Sequence, residues 1–318
     1  MKKCLDFRWG WAFQLFLLLA ITSCTEKKNE GESLALNSES PELATATKEK
    51  KALTTDFKTY WYAGDAEITS YTLEQARYGE IREGKAVLIF VTEPFLPDVQ
   101  VKADRKSDQS IPVLKLNKTK KYLTGIYPYS IMSSTFYPVY DNQHAIKTSL
   151  SVQEWCGHVY SQLNNREDFE FTSHSYFEGE ADQKSHLNKA ILENEIWNRI
   201  RIDPSDLPNG EISIIPSLEY FRVQHKEVKA YNATATLTQT NGLSTYVIDY
   251  KDTDRKLSIH FSAEFPYEIQ GWEEKFKSGF GPNAKPMISK GTKLKSIKTP
   301  YWRQNSNAFI GLRDSLAL

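Results

Sequence analysis

Tyr231-Asn232-Ala233-Thr234-Ala235-Thr236-Leu237-Thr238-Gln239-Thr240-Asn241-Gly242-Leu243-Ser244-Thr245-Tyr246-Val247-Ile248-Asp249-Tyr250 reads as two strands folded back on each other. β-Branched and aromatic residues alternate with polar ones on both sides, and Asn241-Gly242 supplies the two left-handed positions that a two-residue hairpin turn requires. Similar patterns recur along the chain. Ala66 to Gly79 and Lys85 to Glu93 flank Arg82-Glu83-Gly84, which reads as a second hairpin, with Pro94 and Pro97 stopping its second strand. Strands are expected on either side of Asp141-Asn142, and Leu257 to Phe261 follows the turn Asp252-Thr253-Asp254. Alternation, rather than continuous apolar runs, argues against a parallel α/β sheet. The expected fold is mainly β, with large antiparallel sheets built from long hairpins, half-barrel or sandwich-like.

One main helix is expected near 185–200. Leu187, Ala190, Ile191, Trp197 and Ile200 fall near one helical face, Ser185 is a candidate cap, and Asp203-Pro204 ends the element. The folded region then runs over 56–318, and the helix divides it into two β halves, 56–183 and 210–302.

A further hairpin carries the chemistry-bearing side chains. Ser151 to Tyr160 leads through Asn164-Asn165-Arg166-Glu167-Asp168 into Phe169 to Phe177. Centred on Arg166, it sets Trp155 against Phe177, Val159 against Ser173 and His158 against His174. One face then collects Trp155, Val159, Leu163, Phe169, Phe171 and Phe177, and a one-residue slip would scramble that segregation. The other face gathers Cys156, His158, His174 and Tyr176. Such a cluster is a candidate metal site, and Cys156 beside His158 a candidate nucleophile. The plainer alternative is a solvated sheet face. Glu178/Glu180 and Glu273/Glu274 are weaker candidates for glycosidic acid–base work. No Gly-rich phosphate loop, nucleophile elbow or His-Glu-x-x-His motif occurs, so no cofactor is expected.

The N-terminus gives an address. Lys2, Lys3 and Arg8 precede an apolar run from Trp11 to Ile21, broken only by Gln14, and Ile21-Thr22-Ser23-Cys24 follows. A basic start, a short apolar core and a small-residue cleavage site describe an export signal over 1–23. The motif resembles the bacterial lipobox, in which the cysteine is acylated, so Cys24 is the expected lipidation site and membrane anchor. Residues 24–55, rich in Glu, Lys, Ser, Asn, Thr and Ala, read as a flexible tether. The chain as a whole carries a formal charge of zero, and loss of the signal removes three cations and one anion. Such a balance gives no general attraction to nucleic acid. Only Cys156 remains beyond Cys24, so no internal disulfide is expected.

From Lys277 to Arg313 the chain has eight basic residues and no acidic one. Lys290, Lys293, Lys295 and Trp302 are candidates for contact with anionic headgroups or acidic glycans. An edge strand guarded by lysines would give the same pattern.

Trp61-Tyr62-Ala63-Gly64-Asp65-Ala66-Glu67-Ile68-Thr69-Ser70-Tyr71, Leu73 to Glu80, Ile131 to Thr135, Gln153 to His158, Gly271-Trp272-Glu273-Glu274 and Gly279 to Ala284 together resemble a family of Bacteroidota lipoproteins. The likeness spans roughly residues 57–302. Members often carry the label "septum formation inhibitor Maf", which implies a nucleotide pyrophosphatase. The Ala-Ser-x-Ser-Pro-Arg-Arg start and the Asp-Thr-Val segment of that enzyme are absent here. The resemblance therefore implies an envelope lipoprotein without bringing an activity. The leading expectation is a non-enzymatic, outer-membrane-anchored protein, on the periplasmic face or the surface, that binds a lipid, another envelope ligand or a partner protein. The alternative is a thiol or metal-dependent hydrolase using Cys156, His158 and His174.

Overall fold

A computed structural model describes residues 52–318 apart from 141 and 142. The signal, Cys24, most of the tether and the Asp141-Asn142 turn lie outside the described residues. The strands are β1 (Ala66–Arg77), β2 (Glu80–Leu96), β3 (Val101–Lys102), β4 (Ile111–Thr124), β5 (Tyr127–Pro138), β6 (Lys147–Glu154), β7 (Gly157–Asn165), β8 (Phe169–Ser175), β9 (Gln183–Leu187) and β10 (Ile191–Leu192). After a helix come β11 (Gly210–Ile215), β12 (Tyr231–Thr240), β13 (Leu243–Tyr250), β14 (Arg255–Ser262), β15 (Ile269–Ser278) and β16 (Lys285–Thr299). The helices are α1 (Thr55–Trp61), α2 (Glu193–Ile202), α3 (Leu218–Gln224) and the short α4 (Leu312–Ser315).

All the strands belong to one sheet, ordered β10-β11-β12-β13-β14-β15-β16-β1-β2-β4-β5-β6-β7-β8-β9, with β3 attached to β2. Every pairing is antiparallel except β10 with β11. The first and last strands meet, Ala66 opposite Thr299, so both expected β halves are continuous through β1 and β16. The sheet opens only between β9 and β10, which residues 188–190 connect without a ladder between them. This opening is the seam of the fold.

The Asn241-Gly242 hairpin forms as its residues dictate, with Thr240 opposite Leu243 and both turn residues at positive φ. The β1–β2 turn differs from expectation. It is Tyr78-Gly79, at φ 56° and 79°, and Arg82-Glu83-Gly84 lies inside β2 against Gln75, Glu74 and Leu73. Gly84 is needed for close strand approach, because a Cβ there would collide with the Lys121 carbonyl. Pro94 does not end β2 but sits opposite Pro112, where two residues lacking an N–H face each other without breaking a donor's ladder bond.

The helix expected near 185–200 is α2, displaced toward the C-terminus. Gln183–Leu187 is instead the edge strand β9, with Ser185 opposite Phe171. Leu192 carries no capping side chain, and Glu195 reaches back 3.4 Å to accept from its N–H. Asp203 follows the last turn as expected. Little of α2 is apolar, yet Glu193, Asn194, Glu195, Asn198 and Arg201 are buried together with Ile196, Trp197 and Ile200. Each of these polar side chains is bound to another part of the fold. Arg201 holds Glu67 of β1 through two bonds of 2.5 and 2.6 Å. Glu193 accepts from both terminal nitrogens of Arg255, in β14, and from the Tyr250 hydroxyl. Glu195 accepts from the Ala145 N–H at 2.7 Å, Asn198 donates to the Leu114 carbonyl at 2.7 Å, and Asn194 accepts from the Leu218 N–H. Pairing of this kind is what permits a charged helix to sit in a core.

Burial alone would raise the carboxyl pKa of Glu67 and Glu193. The charges and hydrogen bonds of Arg201 and Arg255 outweigh it and hold both below the ordinary range. A carboxylate depressed in the folded state contributes stability that is complete above its unfolded pKa, about 4.3, and fades as pH falls through the folded value. The urea midpoint is therefore expected to drop steadily below roughly pH 4.5. A midpoint unchanged between pH 7 and 3.5 would show that these pairs do not carry the fold.

Candidate functional site

Along the β9 side of the seam lies the largest cavity described, a cleft of about 1050 Å³. Ligand pockets typically measure roughly 300–1,000 Å³, so this one suits a bulky or extended ligand. Its walls come from β7, β8 and β9 on one side and from α3 and the segment leading to β12 on the other. Val159, Phe171, Phe177, Leu187, Leu218 and Phe221 give it an apolar lining. Two features of the sequence make this wall. Strand alternation turns Val159 and Phe171 inward, and the edge position of β9 leaves Leu187 with no strand beyond it. Ser161 and Ser173, also on the wall, satisfy each other across the ladder at 2.9 Å.

Most charges at the cleft are matched. Arg222 binds Glu180 at 3.0 Å and stacks 4.5 Å above the Phe177 ring. Glu180 also accepts from His225 and from the Ser175 hydroxyl, and Lys229 pairs with Glu227 at 2.5 Å. Adjoining the cleft is a smaller cavity of about 210 Å³, which shares Arg77, Tyr78, His225 and Phe280 with it. Phe280, which lines both cavities, is 64% exposed.

The β7–β8 hairpin has the expected faces but not the expected register. Val159 faces Ser175 and Tyr160 faces His174, a slip of two residues. Because strand side chains alternate with period two, a two-residue slip preserves each face. Val159, Leu163, Phe169 and Phe171 are indeed buried. The slip leaves the histidines diagonal rather than directly opposite. His158 pairs with Gln153 and its carbonyl accepts from the Tyr176 N–H, whereas His174 lies 3.2 Å from Asp182. Trp155 and Cys156 form the β6–β7 turn, so Trp155 is 68% exposed rather than set against Phe177.

Cys156 turns toward the cleft, away from the face of His158 and His174. Hydrogen bonding to Glu154 and its negative charge push the thiol pKa upward, which lowers the fraction of nucleophilic thiolate. No cluster of three metal-ligating His, Cys, Asp or Glu residues occurs among the described residues. Tyr176, the remaining candidate of this hairpin, lies over Gly157, where a Cβ would come within 2.6 Å of its ring.

The lysine candidates lie elsewhere. β16 is an internal strand between β15 and β1, which corrects the edge-strand alternative. Lys290 pairs with Glu273 at 3.5 Å and Lys293 with Glu268 at 2.5 Å. Lys295 and Trp302 are exposed, and none of the four lines the cleft. Three of the four paired acids are likewise engaged: Glu180 as above, Glu273 with Lys290, and Glu274 with Arg255 at 2.7 Å. Sequence reasoning missed Arg77, Leu187 and Phe221. Arg77 stands within a block of the family resemblance, but no spacing pattern marked it out. Comparison with protein families, with curated proteins and with solved structures finds no match to this chain.

Proposed function

We propose that this protein is a lipid-anchored envelope protein that binds an amphiphilic molecule in the seam cleft. The observation that carries the reading is the cleft itself: a large cavity between β7–β9 and α3 with an apolar lining. A cavity of that character favours a ligand with a hydrocarbon part over a small polar substrate. The lipobox-like ending at Cys24 and the resemblance to Bacteroidota lipoproteins support an envelope setting, where such molecules abound. Phe280, exposed on the cleft lining, offers an apolar side chain to a bilayer surface. The upward shift of the Cys156 thiol weighs against the thiol form of the hydrolase alternative.

Native mass spectrometry tests this on the chain from residue 25 onward, which carries no acyl anchor of its own. Purified from a membrane-containing lysate, it is expected to retain a lipid-sized adduct, or to take up one equivalent of added oleate after delipidation. A protein that stays bare in both conditions contradicts the proposal.

A further inference from the structure

Four arginines are buried among the described residues: Arg77, Arg201, Arg222 and Arg255. Three of them meet a glutamate, namely Glu67, Glu180 and Glu193 respectively. Arg77, only 6% exposed, has no carboxylate partner among the described residues. One terminal nitrogen donates to the Val223 carbonyl at 2.9 Å, and the other to the hydroxyls of Tyr78 and Tyr129 at 3.0 and 3.2 Å. Its Nε has no acceptor among the described residues. The guanidinium lies 4.1 Å from the centre of the Tyr78 ring and 5.4 Å from that of Tyr129, so aromatic faces offset part of its desolvation. Neutral hydroxyls, one carbonyl and two rings leave its charge uncompensated in a place where a counter-ion has its greatest effect.

That place is the junction of the two cavities. Arg77 lines both, and no Asp or Glu lines the smaller one. The carboxylates of the larger cleft are turned to other partners: Glu180 to Arg222 and His225, Glu227 to Lys229, and Glu154 to the Cys156 N–H. The Tyr78 and Tyr129 hydroxyls lie 2.7 Å apart, where either can donate to the other, and Tyr78 lines both cavities. The side cavity thus presents a buried positive charge, the Tyr78 side chain and the Ser278 hydroxyl, next to an apolar cleft.

We propose that the ligand is an anionic amphiphile, its head held in the side cavity by Arg77 and Tyr78 and its hydrocarbon part laid along the cleft. The inference rests on the amphiphile reading above and adds the sign of the headgroup. A carboxylate and a phosphate both supply the missing counter-charge through charge-assisted hydrogen bonds. A fatty acid and a phospholipid head are therefore the two sources to distinguish.

The test is titration of the chain from residue 25 onward with oleate, with lysophosphatidate and with uncharged oleyl alcohol. At least tenfold tighter binding of one or both anions than of the alcohol is expected, and the better anion identifies the source. R77Q should bring the anions down to the affinity of the alcohol, and R77K, which keeps the charge, should recover part of the preference. Circular dichroism checks that each variant is folded, and the wild-type comparison stands even if R77Q is not. Equal binding of anion and alcohol by the wild type overturns the role of Arg77 while leaving the cleft reading in place. A preference that survives in folded R77Q overturns it too. Absence of binding by all three overturns the amphiphile reading itself.

Discussion

Arg201→Ala is expected to destabilise the fold by about 3–5 kcal/mol, the usual effect of removing one partner from a buried ion pair. That is a large share of the roughly 5–15 kcal/mol available to a folded domain. The reason lies in what remains. Glu67, 2% exposed, would keep its carboxylate but lose both guanidinium bonds, with the Tyr60 hydroxyl at 2.5 Å as its nearest remaining donor. Arg201 also donates to the Pro266 carbonyl at 2.9 Å and packs over the rings of Trp61 and Phe90. Its loss therefore loosens α2, α1 and the sheet together. Removing both charges is a different case. Arg201→Met combined with Glu67→Leu leaves no orphaned ion and should recover most of the loss, because a matched buried pair is often close to neutral against apolar residues of similar volume. Urea unfolding followed by circular dichroism separates these outcomes. A single mutant within about 1 kcal/mol of wild type, the range of a surface pair, would mean that α2 is not pinned through this contact.

Ser185→Trp is expected to weaken amphiphile binding at least tenfold with the fold intact. Ser185 lines the cleft on the edge strand β9 and faces Phe171 across the ladder. An indole there would fill the space that a hydrocarbon chain needs. The backbone should tolerate it, because β9 is paired on one side only and its side chains are at most half-buried. Lys184→Trp is the matched control. It places the same ring one residue earlier, on the opposite face and away from the cleft. Oleate titration of the two variants should show loss in the first alone. Equal affinities would place the ligand elsewhere on the molecule.

The β architecture was open to reading because it depends on local signals. Asn241-Gly242 needs no tertiary context to turn, and alternation in 157–175 assigns faces even when the register is off by two. Apolar Val159 and Phe171 were thus placed together on one face of the sheet, where both are buried. That this face also borders a cleft depends on α3 packing beside the β9 edge, which no local signal foretells. The helix was harder to place. Its apolar content is low, and its burial relies on Glu67, Leu114, Ala145 and Arg255, which are remote in sequence. The spacing of Leu187, Ala190 and Ile191 pointed instead to a segment that joins the sheet edge. The Cys156, His158 and His174 grouping depended on register too: the slip leaves the histidines diagonal neighbours, and the Trp155-Cys156 turn puts Cys156 on the cleft. Arg77 was invisible as a candidate, because nothing local distinguishes a buried arginine with a glutamate partner from one without.

Photo-crosslinking with a diazirine-bearing fatty acid, followed by peptide mapping of the labelled chain, tests most directly whether the seam cleft is a binding site. Labels concentrated in Phe171 to Leu187 and Leu218 to Lys229, and suppressed by excess oleate, are the expected result. Labels spread over the outer face of the sheet, or unaffected by oleate, would contradict it.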